Sequence, residues 1–281
     1  MTPASSPGTS LSIVLPAYNE EANVRGAVEA ARIAADELLQ PYEIIVVDDG
    51  SADRTAEIVA EMNQDDSRIR LVSFPENRGY GAALRAGFRA ARGDLVFYTD
   101  ADLQFDIREL RYFLPLMNAA DVAVGFRVYR YDAVLRCVLS WMYNRLVRLL
   151  FRVRVRDVDC SFKLMRRGVL ERIDLETTDF FIDTEILAKA RKWNFRIVEK
   201  GVRHYPRVAG QSTVRPGDVP RTLRTVGRMW TRLYVRLPTS TRAREPVCPS
   251  VHDPIPTESI TIRGRELRPR ADRPAKANHA N

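Results

Sequence analysis

Long apolar runs are missing from this chain. No stretch approaches the roughly 18 to 20 apolar residues of a membrane span. The first ten residues lack the basic and apolar regions of a secretory leader, which sets the expectation of a cytoplasmic protein. Cysteine is scarce. Cys137, Cys160 and Cys248 are odd in number and widely spaced, which excludes a disulfide scaffold or a CxxC zinc site and points to a reducing compartment. Of three histidines, His252 and His279 lie in a C-terminal stretch without periodicity, leaving His204 for a site. A P-loop and a zinc-protease HExxH are both absent.

What is present describes a globular chain: 281 residues, 45% apolar and 28% charged, enough for one large domain or two modest ones. The formal net charge of +8 is unevenly spread. Residues 127–172 carry twelve basic and four acidic side chains, and residues 203–236 carry eight arginines and one aspartate. The remainder is net negative, so a basic face on an acidic body implies an anionic partner.

Both basic segments also hold large apolar residues at helical spacing. The first, near 131–151, carries Leu135, Val138, Leu139, Met142, Leu146, Leu149 and Leu150. The second, near 219–237, carries Leu223, Val226, Met229, Leu233 and Leu237. They read as basic amphipathic helices suited to a membrane interface, against the blander reading that their apolar stripes pack on the protein's own core. No zinc-finger, RNA-recognition or helix-turn-helix signature accompanies the charge, so nucleic acid is not the expected partner.

From Leu11 to Gly125 short apolar runs alternate with helical patterns, which predicts an α/β fold: a mostly parallel sheet with flanking helices. Residues 1–10 and 238–281 read as disordered ends of a domain spanning 11–237. In such sheets ligands gather at the carboxyl ends of the strands. The runs there end in Pro16-Ala17-Tyr18-Asn19-Glu20, in Asp48-Asp49-Gly50-Ser51, in Asn77-Arg78-Gly79-Tyr80-Gly81, and in Asp100-Ala101-Asp102-Leu103-Gln104. Acidic clusters converging on one edge repel unless a cation or sugar hydroxyls sit among them. If Asp100, Asp102 and Gln104 lie in an extended segment, all three face one cleft, a hard oxygen set for Mg²⁺ or Mn²⁺. Asp48 and Asp49 are placed to hydrogen-bond a base or ribose. Gly79-Tyr80-Gly81 is not a dinucleotide fingerprint, because Leu84 occupies the third glycine position and the motif follows the third strand.

In this order and spacing, these segments closely resemble the catalytic domain of glycosyltransferase family 2, of GT-A (Rossmann-like) fold. The Asp100–Gln104 loop resembles that of dolichyl-phosphate mannose synthases and bacterial polyprenyl-phosphate glycosyltransferases. The likeness continues through Gly125-Phe126-Arg127, Asp159-Cys160-Ser161-Phe162-Lys163, Phe181–Glu185 and His204-Tyr205-Pro206-Arg207, with Cys160-Ser161 departing from the usual Ser-Gly. It implies that Pro16, Tyr18 and Glu20 line the nucleotide, with Asp48, Asp49 and Gly79 in the same nucleotide-sugar site. Asp100, Asp102 and Gln104 would hold the metal on the donor diphosphate. Arg127 would neutralise phosphate.

A phosphate monoester acceptor is largely dianionic at neutral pH and needs cations rather than a strong base. Arg127, Arg203 and Arg207 are the candidates. Asp183 is either a general base or a helix N-cap ahead of Glu185. The expectation is inverting, metal-dependent transfer from a UDP- or GDP-sugar to polyprenyl phosphate. The reaction would sit at the inner face of the membrane, reached through the basic helices or an integral membrane partner. The rivals are a hydroxyl acceptor on a glycan or lipid, and a non-catalytic nucleotide-sugar-binding partner of a membrane protein.

Overall fold

The computed structural model describes residues 9–38, 40–128, 134–206 and 219–236, with 134–139, 219–223 and 236 as backbone alone. At the centre of its sheet lies β1 (Leu11–Ala17), all seven residues buried. A strand covered on both faces needs apolar side chains at every position, which is why it reads as an unbroken run. It pairs in parallel with β2 (Tyr42–Asp48) on one side and β4 (Leu95–Tyr98) on the other, and β3 (Ile69–Ser73) pairs in parallel outside β2. Beyond β4 come β6 (Lys163–Arg166), β5 (Val122–Arg127) and β7 (Ile197–Val202), giving the order β3-β2-β1-β4-β6-β5-β7. β6 runs antiparallel to both neighbours, while β7 is parallel to β5.

Strand alternation divides the core into two layers. Ile13 and Leu15 face the layer of α1 (Val24–Glu37) and α2 (Thr55–Asp65). Val14 faces that of α3 (Tyr80–Ala90), α4 (Val134–Phe151) and α6 (Ile182–Lys192), with α5 (Arg167–Arg172) and α7 (Val219–Thr231) adding to it. The chain leaves β1 toward β2 and β3 and returns on the opposite side as β4. The carboxyl ends of β1 and β4 therefore flank the switch point where a crevice opens.

The helical pattern near 107–117 is resolved into two 3₁₀ segments, Ile107–Tyr112 and Leu114–Asn118. Pro115 is the physical reason: it has no N–H to donate, and its ring collides with the carbonyl one turn back.

Both basic helices form, and both dock on the core. On α4, Val147 and Phe151 are buried, whereas Trp141, Met142 and Leu149 stay exposed. On α7 and the π-helical turn that follows (Arg232–Arg236), Val226, Met229 and Leu233 are buried. The inward stripe of α7 thus packs against the protein itself. The side chains of Leu135, Val138, Leu139, Leu223 and Leu237, and the whole C-terminal segment from 237, lie outside the described residues. Ser10, assigned to the disordered N-terminus, is hydrogen-bonded through N and Oγ to Asp94. No described helix is long and apolar enough to cross a membrane.

Candidate active site

The loops after β1 and β2 are clamped together. Asn19 donates its backbone N–H to Ser51 Oγ (2.9 Å) and accepts from the Ala52 N–H (2.8 Å). The Glu20 N–H donates to Thr55 Oγ1 (2.9 Å), while the Glu20 carboxylate accepts from Asn23 Nδ2 (2.6 Å) at the start of α1. Pro16 is buried within β1 and Tyr18 is exposed at the rim. Of the residues expected around a nucleotide, Tyr18 therefore offers the open face.

Asp48 and Asp49, expected to hydrogen-bond a base or ribose, are buried and already accept hydrogen bonds within the protein. Asp48 accepts from Ser73 Oγ (2.9 Å) and the Ser51 N–H (3.3 Å). Asp49 accepts from the N–H groups of Arg78 (2.8 Å) and Gly79 (2.9 Å), and burial raises its pKa against those two bonds. The pair holds the second and third loops in register. Gly79 has φ 95°, and a Cβ there would lie 2.4 Å from the Thr178 carbonyl oxygen, so only glycine lets the two segments meet.

The Asp100–Gln104 segment is a tight turn, with Leu103 at φ 60°, rather than the extended strand expected. Asp102 Oδ1 caps the turn by accepting from the Gln104 N–H (3.1 Å), and the Gln104 amide donates to the Tyr205 carbonyl (3.1 Å). The three side chains are thus not aligned by strand alternation. Ser161 donates to Asp100 Oδ2 (2.6 Å), whereas the buried Oδ1 accepts no hydrogen bond among the described residues. Burial, and then the charge of Asp102, push the Asp100 carboxyl well above its ordinary range.

A divalent cation fits this arrangement. It would satisfy the orphaned oxygen and remove the repulsion between the two carboxylates. Among the described residues no three acidic, histidine or cysteine side chains converge on one metal position. The protein would supply few ligands, and substrate phosphates would complete the shell, as Mg²⁺ and Mn²⁺ sites often arrange. Gln104, with its N–H committed to Tyr205, has only Oε1 to contribute.

Because β6 is antiparallel, the segment before it arrives at this same edge. It brings Ser161 beside Asp100 and Asp159 near Asp157 and Asp183, and Asn144 Oδ1 on α4 anchors it through the Val158 N–H (2.8 Å). Arg127 is not free to meet a phosphate head-on. Its Nε lies 2.7 Å from Asp157 Oδ2 and its Nη2 2.9 Å from Oδ1, a two-pronged pair that is largely buried. Asp159 is half-buried at the wall of the crevice. Burial first, and the nearby Asp183 and Asp157 next, raise its pKa to about 7.

Asp183 is not the helix cap, and it lies buried rather than open to the crevice. Phe181 is the N-cap of α6, and Asp183 sits buried in the first turn. Its Oδ1 accepts from Lys163 Nζ and from the Tyr98 hydroxyl (2.5 Å). Arg203 is exposed beside Glu109, 4.0 Å away, and Arg207 lies outside the described residues. His204 packs its ring on Phe105, with centroids 5.1 Å apart. Sequence reasoning missed the roles of Ser161, Lys163, Asp157 and Tyr98. The one signal for them was a polar stretch leading into an apolar run, and its meaning depended on the direction of β6.

The family model for glycosyl transferase family 2 matches residues 12–174. Glycosyltransferase AglD of Haloferax volcanii is 36% identical over 248 residues, covering 83% of this chain and 39% of AglD. The undecaprenyl-phosphate 4-deoxy-4-formamido-L-arabinose transferase of Aeromonas hydrophila is 34% identical over 206 residues, 72% of this chain and 62% of that protein. The chain therefore spans less than two thirds of the length of these relatives. Among solved structures, glucosyl-3-phosphoglycerate synthase from Mycobacterium tuberculosis, in complex with Mg²⁺ and UDP, superposes with a TM-score of 0.62. That match has 19% identity and covers 83% of this chain and 82% of the other. Its likeness is one of fold.

Proposed function

The chain belongs to glycosyl transferase family 2, and on that premise we propose that it transfers a sugar, with inversion, from a UDP- or GDP-sugar to a polyprenyl phosphate at the cytoplasmic face of a membrane. The observation that carries this reading is the pair of carboxylates after β4, with Asp100 Oδ1 buried and without a hydrogen bond among the described residues. Asp100 and Asp102 would hold Mg²⁺ or Mn²⁺, with the Gln104 carbonyl as the remaining ligand, and such a cation neutralises the leaving diphosphate. Tyr18 stands at the rim for the nucleotide.

The acceptor follows from the base. Asp183 is tied to Lys163 and Tyr98, so it is not available to take a proton from a hydroxyl. A phosphate monoester, with a second pKa of about 6, needs no such base. Its oxygen attacks the anomeric carbon opposite the leaving diphosphate. The new carbon–oxygen bond forms as the old one breaks, and the configuration inverts. Arg203 and Arg207 are the cations left to steer the acceptor, with Arg127 contributing from within its pair with Asp157. The exposed Trp141, Met142 and Leu149 of α4 offer a membrane-facing surface, and an integral membrane partner is the other route to the bilayer.

One observation favours a second reading. Asp159 is half-buried, and burial pushes its carboxyl up to about 7, the property a general base for a hydroxyl acceptor requires.

The test is transfer of label from each UDP- and GDP-sugar to polyprenyl phosphate in detergent with Mg²⁺ or Mn²⁺. Label in the organic phase with one donor, abolished by EDTA and by Asp102→Asn but retained by Asp159→Asn, is the expected result. Normal turnover by Asp102→Asn would overturn the metal assignment. Label appearing only on hydroxyl acceptors, and lost with Asp159→Asn, would establish the second reading instead.

A further inference from the structure

At the far end of α4 and α6 from the crevice, five cations share one place. Arg148, Arg152 and Arg154 together with Arg191 line a half-open cavity of about 470 Å³, with Leu149 and Val153 between them. Lys192 lies alongside, its ammonium 5.1 Å from the centre of the Tyr234 ring. The Tyr234 hydroxyl donates to the Phe151 carbonyl (3.2 Å). Burial raises its pKa while Arg152 and then Arg191 pull it down, so both guanidinium groups lie near that hydroxyl.

Nothing among the described residues neutralises this cluster. No carboxylate lines the cavity. Arg148 donates to a carbonyl of its own helix, the Asn144 oxygen (3.2 Å), and makes no ion pair. The Lys192 Nζ is shielded from solvent and has no hydrogen-bond acceptor among the described residues. Elsewhere the arginines of this protein are commonly paired with carboxylates, as Arg68 is with Asp36 and Asp66. Cations gathered without counter-charge, one of them desolvated, make a site built for an anion.

The site is separate from the crevice. Tyr143 meets Thr184 at the start of α6, with hydroxyl oxygens 2.6 Å apart, beside the active edge. Arg191 lies eight residues after Asp183 on the same helix, a rise of roughly 12 Å. The surface leading to the cavity is not purely polar. Trp141, Arg145, Arg148 and Leu149 follow one another at four-, three- and one-residue steps, so they share one face of α4, and Arg152 comes directly after the helix end. Leu149 is 77% exposed and Trp141 63%. A soluble anion has no use for an apolar rim, whereas a lipid presents a phosphate and hydrocarbon together.

We propose that this cavity binds the phosphodiester headgroup of an anionic lipid, seating α4 in the interface with Leu149 and Trp141 toward the acyl region. The proposal rests on the membrane-face part of the function above but not on its chemistry. The test uses the full chain and vesicles of phosphatidylcholine with or without phosphatidylglycerol. Arg154→Gln/Arg191→Gln should weaken binding to the anionic vesicles at least tenfold, in keeping with about 1 kcal/mol per basic residue at such a surface. The matched pair Arg89→Gln/Arg92→Gln, exposed on and just after α3, should weaken it less than twofold. Equal losses in the two pairs, or no loss in the first, would overturn the site. Displacement of vesicle-bound protein by inorganic phosphate at constant ionic strength would overturn the lipid as occupant and assign the cavity to a soluble phosphate. Transfer assayed in detergent separates the two readings: the Arg154/Arg191 pair should retain it, and a wild-type chain inactive there leaves the vesicle result interpretable by itself.

Discussion

Lys163 and Asp183 form an ion pair beneath the carboxyl edge of the sheet, with the lysine wholly shielded from solvent. The ammonium also donates to the Cys160 carbonyl (2.6 Å), and the carboxylate oxygen it holds takes the Tyr98 hydroxyl as well. Removing one member strands the other charge in a low-dielectric place, at a cost of about 3 to 5 kcal/mol. Asp183→Asn should therefore lower the thermal midpoint by many degrees. The double change Lys163→Met/Asp183→Leu should be far better tolerated than either single change. An Asp183→Asn variant with unchanged stability and no turnover would restore this carboxylate as the base.

The Arg127–Asp157 pair makes a different prediction, because it lies between structure and acceptor. Asp157→Asn should destabilise the protein and leave the acceptor KM within about twofold, since a single hydrogen-bonded contact remains. Arg127→Lys should also destabilise, as an ammonium cannot make the two parallel bonds. If Arg127 also meets the acceptor phosphate, this variant alone raises the acceptor KM several-fold. Parallel KM values in the two variants would confine Arg127 to a structural part.

The acidic edge also sets a pH dependence. Asp159 titrates near 7 in the folded chain and Asp100 is raised too, against an ordinary value of 3.8. Between those limits the unfolded chain has lost protons that the folded chain still binds, so stability falls as pH rises from about 4 to 7. Without metal, the thermal midpoint should drop over that window, and Asp159→Asn should flatten the drop. At pH 7.5, Mn²⁺ should raise the midpoint of the wild type but not of Asp100→Asn/Asp102→Asn. A midpoint that climbs with pH in the metal-free protein would contradict the burial of these carboxylates.

The sheet and its crevice were legible because parallel strands covered on both faces cannot avoid apolar runs, and the polar loops after them stand out by contrast. The strand exits at Tyr18, Asp48, Gly79 and Asp100 are found where that contrast puts them. The fate of each side chain was not legible. The partners that hold Asp48 and Asp49 within the protein, Ser73 on β3 and the Arg78 and Gly79 N–H groups of the loop after it, do not follow from the sequence. The pairing of Asp183 was not legible because Lys163 is twenty residues away in sequence and on a strand of unforeseen direction. The apolar stripe of α4 is divided between core and surface, a division that depends on where α6 and α7 pack.

The reversed direction of β6 has a consequence for how such a protein diversifies. The strands from β1 to β4 and their exits complete the donor half by Gln104. The residues proposed for the second substrate come later and from separate places: Arg127 at the end of β5, Asp159 before β6 and Arg203 after β7. The long excursion between β5 and β6, which includes α4, is tied to the first half through Ser161 on Asp100 and through the buried Val147 and Phe151, so its outward side chains, such as Trp141, Met142 and Leu149, are the ones that can be exchanged without disturbing it. On the proposed function, selectivity for what receives the sugar would drift through those outward positions while the nucleotide site stays fixed, and exchanging them between relatives, with Val147, Phe151 and Ser161 retained, is the natural way to check it.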